Sequence, residues 1–153
     1  MKADEIYDSN SRFHPSNQIH HTAIIYDCVE MGKNNVIGAY AVIGSNGEIR
    51  GVKQFEGNVI IGNGNVISEL VTIQRPAIKG QSTVIGNDNI IMKGAHHGHD
   101  SIVGDNCEIC CNVILGGYSI IKNNVKLKLG VIIRNRKIVG ENSLVGLGSA
   151  VVK

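Results

Sequence analysis

A six-residue period governs the stretch of sequence that decides the fold. Residues 101–121 read SIVGDNCEICCNVILGGYSII, with a large aliphatic residue at every sixth position and a small residue two positions before it. Stepping by six from Ile19 to Val151 meets 23 positions, of which 21 are large and apolar, whereas 42% hydrophobic residues would give about ten by chance. Only Lys79 and His97 interrupt this period, which therefore extends over most of the chain.

The period predicts strands joined by corners. Residues two apart in a strand face the same side, so the small and the large residue of each hexad point inward together. Glycine and asparagine then allow a sharp corner. Since one hexad cannot bury its inner face alone, three hexads close into a coil, and successive coils stack about 4.8 Å apart. We expect an all-β, three-sided parallel β-helix over residues 19–153, with a non-repeat segment over residues 1–18 that caps it.

Two stretches keep the count of six but lose the small inward residue. They cover residues 44–58 and residues 74–83, and Lys79 lies at an apolar position of the second. We expect both stretches to leave the prism as surface loops, which often carry function.

Composition and cysteine spacing exclude several classes of protein. No stretch approaches the roughly 18 apolar residues of a membrane span, and the first residues, MKADE, form no apolar signal segment. We therefore expect a cytoplasmic protein. Cys107, Cys110 and Cys111 form C-x-x-C-C, but no second ligand pair follows at zinc-site spacing. We expect these thiols and Cys28 to be reduced and structural, with no metal bound.

The charge distribution points to an anionic ligand or to a solvated surface. Residues 109–140 contain six basic residues and no acidic one. The acid-free stretch suits a nucleotide or a phosphorylated carrier, and it equally suits an exposed lysine face. Because no aromatic residues alternate with the bases, nucleic acid is not expected as a partner.

Half of the six histidines lie in the segment AHHGHD, residues 95–100. His97 takes an inward position, so we expect a core histidine whose ring is satisfied by hydrogen bonds. His96 alternates with it and should face outward. His99 follows Gly98 at a corner, where Asp100 can orient its ring for general base catalysis.

Residues 18 apart share an edge of the predicted prism, which places other groups beside His99. Gly117 lies one coil above His99 and Asn135 lies two coils above it. A glycine N–H beside a base suits an oxyanion donor in acyl transfer. Arg134 and Arg136 flank the same edge, where a phosphate could be held.

Four segments resemble the hexapeptide-repeat acyltransferases, in particular the UDP-N-acetylglucosamine 3-O-acyltransferases of lipid A synthesis. These segments are VTIQR at 71–75, GNDNIIM at 86–92, AHxxHD at 95–100 and LGG at 115–117. The resemblance implies a left-handed β-helix and a homotrimer with its site between subunits. It also implies acyl transfer from a CoA or acyl carrier protein thioester to a nucleotide-linked sugar, without a bound cofactor.

The resemblance assigns roles to individual residues. It implies that His99 is the general base, that His96 contacts the sugar and that Gly117 supplies the oxyanion N–H. Asp100 is the expected partner of His99. The loop at 44–58 would bring Glu48 and Arg50 to the sugar. The other expected substrate contacts are Gln74, Tyr118, Arg134, Asn135 and Arg136.

The sequence also departs from that family. We expect it to lack the family's C-terminal helical domain, and Tyr118 and Arg134-Asn135 replace a histidine and a His-Gln pair. Leu147 replaces a small residue that admits a long acyl chain, which favours a short acyl group such as acetyl. Three alternatives stay open: a nucleotide-amino-sugar N-acetyltransferase that uses acetyl-CoA, a non-catalytic scaffold, and a γ-type carbonic anhydrase. The last would need a zinc-binding histidine where this chain has Gly94.

Overall fold

A computed structural model describes residues 7–8 and 12–153, and within them the chain forms 21 short β-strands and no helix. No helix in this part of the chain could therefore span a membrane. The strands are β1 (Tyr7–Asp8), β2 (Gln18–His20), β3 (Ile24–Ile25), β4 (Val29–Met31), β5 (Val36–Ile37), β6 (Val42–Asn46), β7 (Asn58–Ile61), β8 (Val66–Ile67), β9 (Thr72–Arg75), β10 (Ser82–Ile85), β11 (Ile90–Ile91), β12 (His96–His97), β13 (Ile102–Val103), β14 (Glu108–Ile109), β15 (Ile114–Leu115), β16 (Ile120–Ile121), β17 (Lys126–Leu127), β18 (Ile132–Ile133), β19 (Ile138–Val139), β20 (Leu144–Val145) and β21 (Ala150–Val151).

From β2 onward the strands form three parallel sheets, and each sheet takes every third strand. The first sheet has the order β1-β2-β5-β8-β11-β14-β17-β20, the second β3-β6-β9-β12-β15-β18-β21, and the third β4-β7-β10-β13-β16-β19. This arrangement is a prism with three sides, as the hexad period predicts. Its interior is a stack of aliphatic side chains, of which Ile37, Ile67 and Ile91 are fully buried.

One pair of strands is antiparallel, at the start of the prism. Tyr7 and Asp8 pair with His20 and Ile19 of β2. They belong to the segment 1–18 that the sequence predicts as a cap, and residues 1–6 and 9–11 of that segment lie outside the described residues. The boundary at residue 19, between a non-repeat segment and the parallel β-helix, stays a prediction.

Buried asparagines mark the edge between the third and the first sheet, which we call the asparagine edge. Each side-chain oxygen accepts a backbone N–H from the coil above, and each amide donates to a glycine carbonyl. The sequence separations along this ladder are 18, 30, 24 and 18 residues. Two coils are thus longer than 18 residues by whole hexads. The ladder runs through Asn17, Asn35, Asn65 and Asn89 to the Cys107 N–H.

The additional residues of both longer coils form loops that leave the prism at the edge between the second and the third sheet. We call this edge the His99 edge. The first loop covers residues 47–57 and the second covers residues 76–81. Loops at these two places confirm the prediction, with narrower bounds because β6 continues to Asn46 and β9 to Arg75. Ile49 and Phe55 match the hexad count but lie in the first loop, outside the inner stack.

Candidate functional site

A small cleft opens on the His99 edge, beside the corner that follows β12. Its volume is about 160 Å³. Residues of four successive coils and of the first loop surround it, so the first loop and the corner of the prism form it together. Its walls are Glu48, Gln74, His96, Gly98, His99, Ile114, Leu115, Gly116, Gly117 and Asn135.

The His99 side chain is held by the residue that follows it. Its Nδ1–H donates to Asp100 Oδ2 over 2.8 Å, and the two side chains are only 13% and 7% exposed. Asp100 has a left-handed backbone with φ of 60°, which aspartate adopts more readily than most residues. With Nδ1 occupied, Nε2 is the ring nitrogen available to a ligand.

Gly117 lies directly against the imidazole, as the coil spacing predicts. A Cβ on this glycine would fall 2.7 Å from both Nε2 and Cε1 of His99, so only glycine fits beside the ring in this position. The Gly117 N–H donates to no other group among the described residues, and the side-chain oxygen of Asn135 lies beside the neighbouring Gly116. A base and an unpaired N–H thus adjoin each other at the cleft.

Further residues fix the imidazole from its other sides. The Tyr118 ring meets His99 edge-on, with 5.2 Å between ring centroids, and the Arg136 guanidinium lies 4.4 Å from the Tyr118 centroid. Gly47 of the first loop approaches so closely that a Cβ there would lie 2.9 Å from His99 Cβ. The ring therefore has little freedom to turn away from Gly117.

His96 faces the cleft, as its place in the strand predicts. Its Nδ1 is hydrogen-bonded to Thr72 Oγ1 over 2.7 Å, and the pairing of β12 with β9 places Thr72 directly below it. Burial lowers the pKa of His96, and the nearby Glu48 charge opposes that shift. His96 thus presents a neutral ring to the cleft at neutral pH.

His97 points into the prism, between Ile73 and Leu115 of the neighbouring coils, and is fully buried. The prediction that hydrogen bonds satisfy this ring is wrong, because neither ring nitrogen has a partner among the described residues. Burial, with a smaller effect from His96, lowers the pKa of His97 to about 3. The imidazole stays neutral because the surrounding aliphatic side chains offer no charge or hydrogen bond that would stabilise the protonated ring.

The structure brings some of the predicted substrate residues together and leaves others apart. Gln74, Asn135 and Glu48 line the cleft with His96. Tyr118 and Arg136 lie just behind His99, whereas Arg50 and Arg134 are exposed outside the cleft walls. All of these assignments to substrate stay predictions.

Leu147 occupies a different edge from His99. It follows β20, at the corner between the first and the second sheet, and its side chain is 70% exposed. Within one chain it therefore does not reach the cleft. Any limit that Leu147 sets on acyl length needs a second copy of the chain.

None of the four cysteines lines the cleft. All four cysteines are free thiols, and burial raises the pKa of Cys28, Cys107 and Cys110. In residues 7–8 and 12–153, no group of three or more His, Cys, Asp or Glu side chains is placed to hold one metal ion. Lys128 of the basic stretch forms an ion pair with Glu108, 2.7 Å apart.

Sequence reasoning missed three residues that shape the cleft: Thr72, Thr83 and Gly47. Thr72 lies 24 residues before His96, so a step of 18 does not reach it. Thr83 lies 17 residues before Asp100, but it belongs to the stretch 74–83 that the sequence predicts as a surface loop. Gly47 has no periodic signal, since it belongs to a loop. The correct pairing of β9, β10 and β12 would have identified both threonines.

Comparison with known proteins finds likeness at the level of structure. No protein-family model matches this sequence, and no curated protein does. The UDP-N-acetylglucosamine acyltransferase of Francisella novicida is 27% identical, with a TM-score of 0.71 over 91% of this chain and 62% of that chain. The corresponding enzyme of Moraxella catarrhalis is 26% identical, with a TM-score of 0.68 over 92% and 67%. That of Bacteroides fragilis is 29% identical, with a TM-score of 0.57 over 86% and 54%.

The chain thus spans between about half and two thirds of the length of these solved structures. Their fold agrees with the parallel sheets and the three-sided coils seen here. The prediction of an all-β left-handed parallel β-helix is confirmed, and so is the resemblance drawn from the sequence. The chain has the fold of the hexapeptide-repeat acyltransferases and is similar to the UDP-N-acetylglucosamine acyltransferases among them.

Proposed function

We propose that this protein is an acyltransferase that moves a short acyl group from a thioester to a hydroxyl or amine of a nucleotide-linked sugar. The observation that carries the proposal is the His99 corner. There, an imidazole tied to Asp100 lies against Gly117, whose N–H donates to no other group of the described residues. The similarity to UDP-N-acetylglucosamine acyltransferases supports the same class of reaction.

The proposed reaction uses these groups in one sequence. His99 Nε2 takes the proton of the acceptor O–H or N–H as that atom forms a bond to the thioester carbonyl carbon. The carbonyl oxygen becomes an oxyanion and accepts the Gly117 N–H. When the intermediate collapses, the carbon–sulfur bond breaks and the leaving thiolate takes the proton from the imidazolium. Asp100 stabilises that imidazolium and holds the ring in the required tautomer.

The remaining polar walls of the cleft are proposed to bind the sugar. His96, Glu48, Gln74 and Asn135 offer both donors and acceptors within the cleft. The exposed guanidinium groups of Arg134, Arg136 and Arg50 lie further out, where the phosphates of a nucleotide could reach them. Acyl-CoA or an acyl carrier protein is the proposed donor.

The size of the cleft supports a homotrimer. About 160 Å³ is smaller than the roughly 300 Å³ at which small-molecule sites begin. We expect neighbouring copies to close the cleft and to bring Leu147 near the acyl group. Light scattering on the purified chain should give three times the mass of 16.4 kDa. An active monomer would contradict this assembly.

The test of the function is acyl transfer by the purified chain. We expect it to release CoA from acetyl-CoA, and more slowly from long-chain acyl-CoA, when a UDP-linked or dTDP-linked amino sugar is present. His99→Ala should lower the rate by about 10²–10⁴-fold, the usual contribution of a general base. His14→Ala, at an exposed histidine outside the cleft, is the matched control.

Two results would contradict the proposal. One is a rate in His99→Ala within a few-fold of the unchanged protein. The other is the absence of any shift in melting temperature with acyl thioesters and nucleotide sugars, since a bound ligand stabilises the folded state. The second result would favour a non-catalytic scaffold.

A further inference from the structure

Most left-handed corners of the prism share one supporting hydrogen bond. The corner residue with a left-handed backbone donates its N–H to a carbonyl in the coil below. Tyr118 donates to His99 O and Arg136 donates to Gly117 O, each over 3.0 Å. Further examples at the other two edges are Asn112 to Lys93, Gly130 to Cys111, Asn106 to Asn87 and Asn124 to Asp105. Backbone pairing thus holds each of these strained corners in place.

Asn34 and Tyr40, near the start of the prism, depart from this pattern and donate to the Ser16 and Thr22 hydroxyls. Asp100 also departs from it, although its φ of 60° is the same. In the coil below it, the chain leaves the prism after Arg75 and forms the loop at 76–81. The Asp100 N–H instead donates to Thr83 Oγ1 over 2.8 Å. The Thr83 hydroxyl in turn donates to the Gln74 carbonyl over 2.7 Å.

Thr83 thus links the backbones of two residues at the cleft. Its side chain is fully buried, and its hydroxyl uses its single proton toward Gln74 and a lone pair toward Asp100. A buried N–H without an acceptor destabilises the fold, and a left-handed backbone at a residue other than glycine adds strain of its own. Without the hydroxyl, the Asp100 corner would therefore have no support from below.

We propose that Thr83 is a positioning residue, which holds the Asp100 carboxylate against His99 Nδ1. It does so by replacing the carbonyl that the inserted loop removes from this corner. The catalytic consequence rests on the proposed function, whereas the hydrogen bonding itself does not. The two can therefore be tested separately.

The next coils supply a natural contrast. Ser101 and Ser119 take the same inward position above Thr83, and both are fully buried. Neither hydroxyl has a hydrogen-bond partner among the described residues, and the Tyr118 and Arg136 corners above are supported by carbonyls. A hydroxyl at this column is thus used only where a loop has displaced the backbone acceptor.

The experiment compares three variants of the full-length chain. Thr83→Val keeps the shape and removes the hydroxyl, Thr83→Ser restores the hydroxyl, and Ser101→Ala is the matched control one coil higher. For each variant, kcat and KM are measured, together with the Asp100 amide proton shift and the His99 ring nitrogen shifts by NMR. The NMR signals report the hydrogen bond and the ring tautomer whether or not the protein is an acyltransferase.

We expect Thr83→Val to lower kcat by roughly 10- to 100-fold with little change in KM, because small displacements of catalytic groups have such effects. The Asp100 amide proton should move upfield and the His99 tautomer should change, while Thr83→Ser and Ser101→Ala stay close to the unchanged protein.

Two outcomes would overturn the proposal: unchanged His99 ring shifts in Thr83→Val, or equal losses of kcat in Thr83→Val and Ser101→Ala. If the unchanged protein transfers no acyl group, the proposed function fails, and the NMR signals alone then decide the role of Thr83.

Discussion

The asparagine edge and the His99 edge are built from the same hexads, yet they use their polar groups in opposite ways. At the asparagine edge, inward side chains such as Asn35 and Asn65 pair with the coils on both sides. At the His99 edge, the corresponding Ser101 and Ser119 hydroxyls have no partner among the described residues. One edge stabilises the stack, and the other gives up some of that stabilisation.

The outer corner positions show the same contrast. At the asparagine edge, the Asn63 and Asn87 N–H groups donate to side-chain oxygens one coil above, Asn87 and Asp105, each over 2.7–2.8 Å. Gly117 takes this position at the His99 edge, and its N–H donates to no group within the described residues. A donor that is consumed by the fold at one edge is thus available to a ligand at the other. Both inserted loops also leave from the His99 edge, and Glu48 of the first loop forms part of the cleft wall.

The largest expected effect tests the stabilising edge. Asn65→Ala removes the acceptor of the Asn89 N–H and the donor to Gly86 O, both inside the prism. Since each buried group left unpaired costs about 1–3 kcal/mol, we expect a loss of about 4 kcal/mol in the free energy of unfolding, measured in urea.

The control for this loss is Ser143→Ala, further along the same column, where the hydroxyl is hydrogen-bonded in a more exposed position. It should cost less than about 1 kcal/mol. Acyl transfer by folded Asn65→Ala should stay within two-fold of the unchanged protein. A loss of activity without a loss of stability would remove the distinction between the two edges.

The next effect tests the His99 edge. Gly117→Ala keeps the backbone N–H but places a Cβ 2.7 Å from the His99 ring, so the ring must move. We expect kcat to fall by about 10²-fold, as for other small displacements of a catalytic group, with little change in urea stability. Gly140→Ala is the matched control on the asparagine edge, where the nearest atom to the new Cβ is 3.8 Å away. Normal turnover by Gly117→Ala would show that the contact with His99 is not needed.

The smallest effect concerns the pH dependence of stability. Burial lowers the pKa of His97 to about 3, from 6.5 in the unfolded chain. Below pH 6.5 the unfolded state takes up a proton that the folded state refuses, so stability falls as the pH drops toward 3. Between pH 7 and pH 5, this one group should cost about 2 kcal/mol.

His97→Leu should remove that dependence and should also stabilise the protein, because it replaces two unpaired ring nitrogens with a side chain like the neighbouring Leu115. Urea unfolding at pH 7 and pH 5 measures both effects. Equal pH slopes for the two proteins would show that His97 is not the neutral core group that its burial implies.

How far the sequence could predict this molecule depends on whether a feature follows the period of six. The inward stack, the outward His96 and the placement of Gly117 above His99 all follow it, and the structure agrees. Thr72 does not, because one further hexad separates it from His96. Thr83 lies one coil of 18 residues below Ser101, but the sequence around it predicts a surface loop. A fixed step along the sequence finds the neighbouring residue in the next coil only where every coil has the same length.

The sequence by itself determined the three-sided coil, since a side chain that recurs every six residues can be buried only if the strands stack in register. It also placed His99, Asp100 and Gly117 on one edge, because both coils there have 18 residues. Only the tertiary structure decided which polar groups are paired and which remain available. That depends on which side chains of successive coils come within hydrogen-bond distance of each other, and on the edge from which the inserted loops leave the prism.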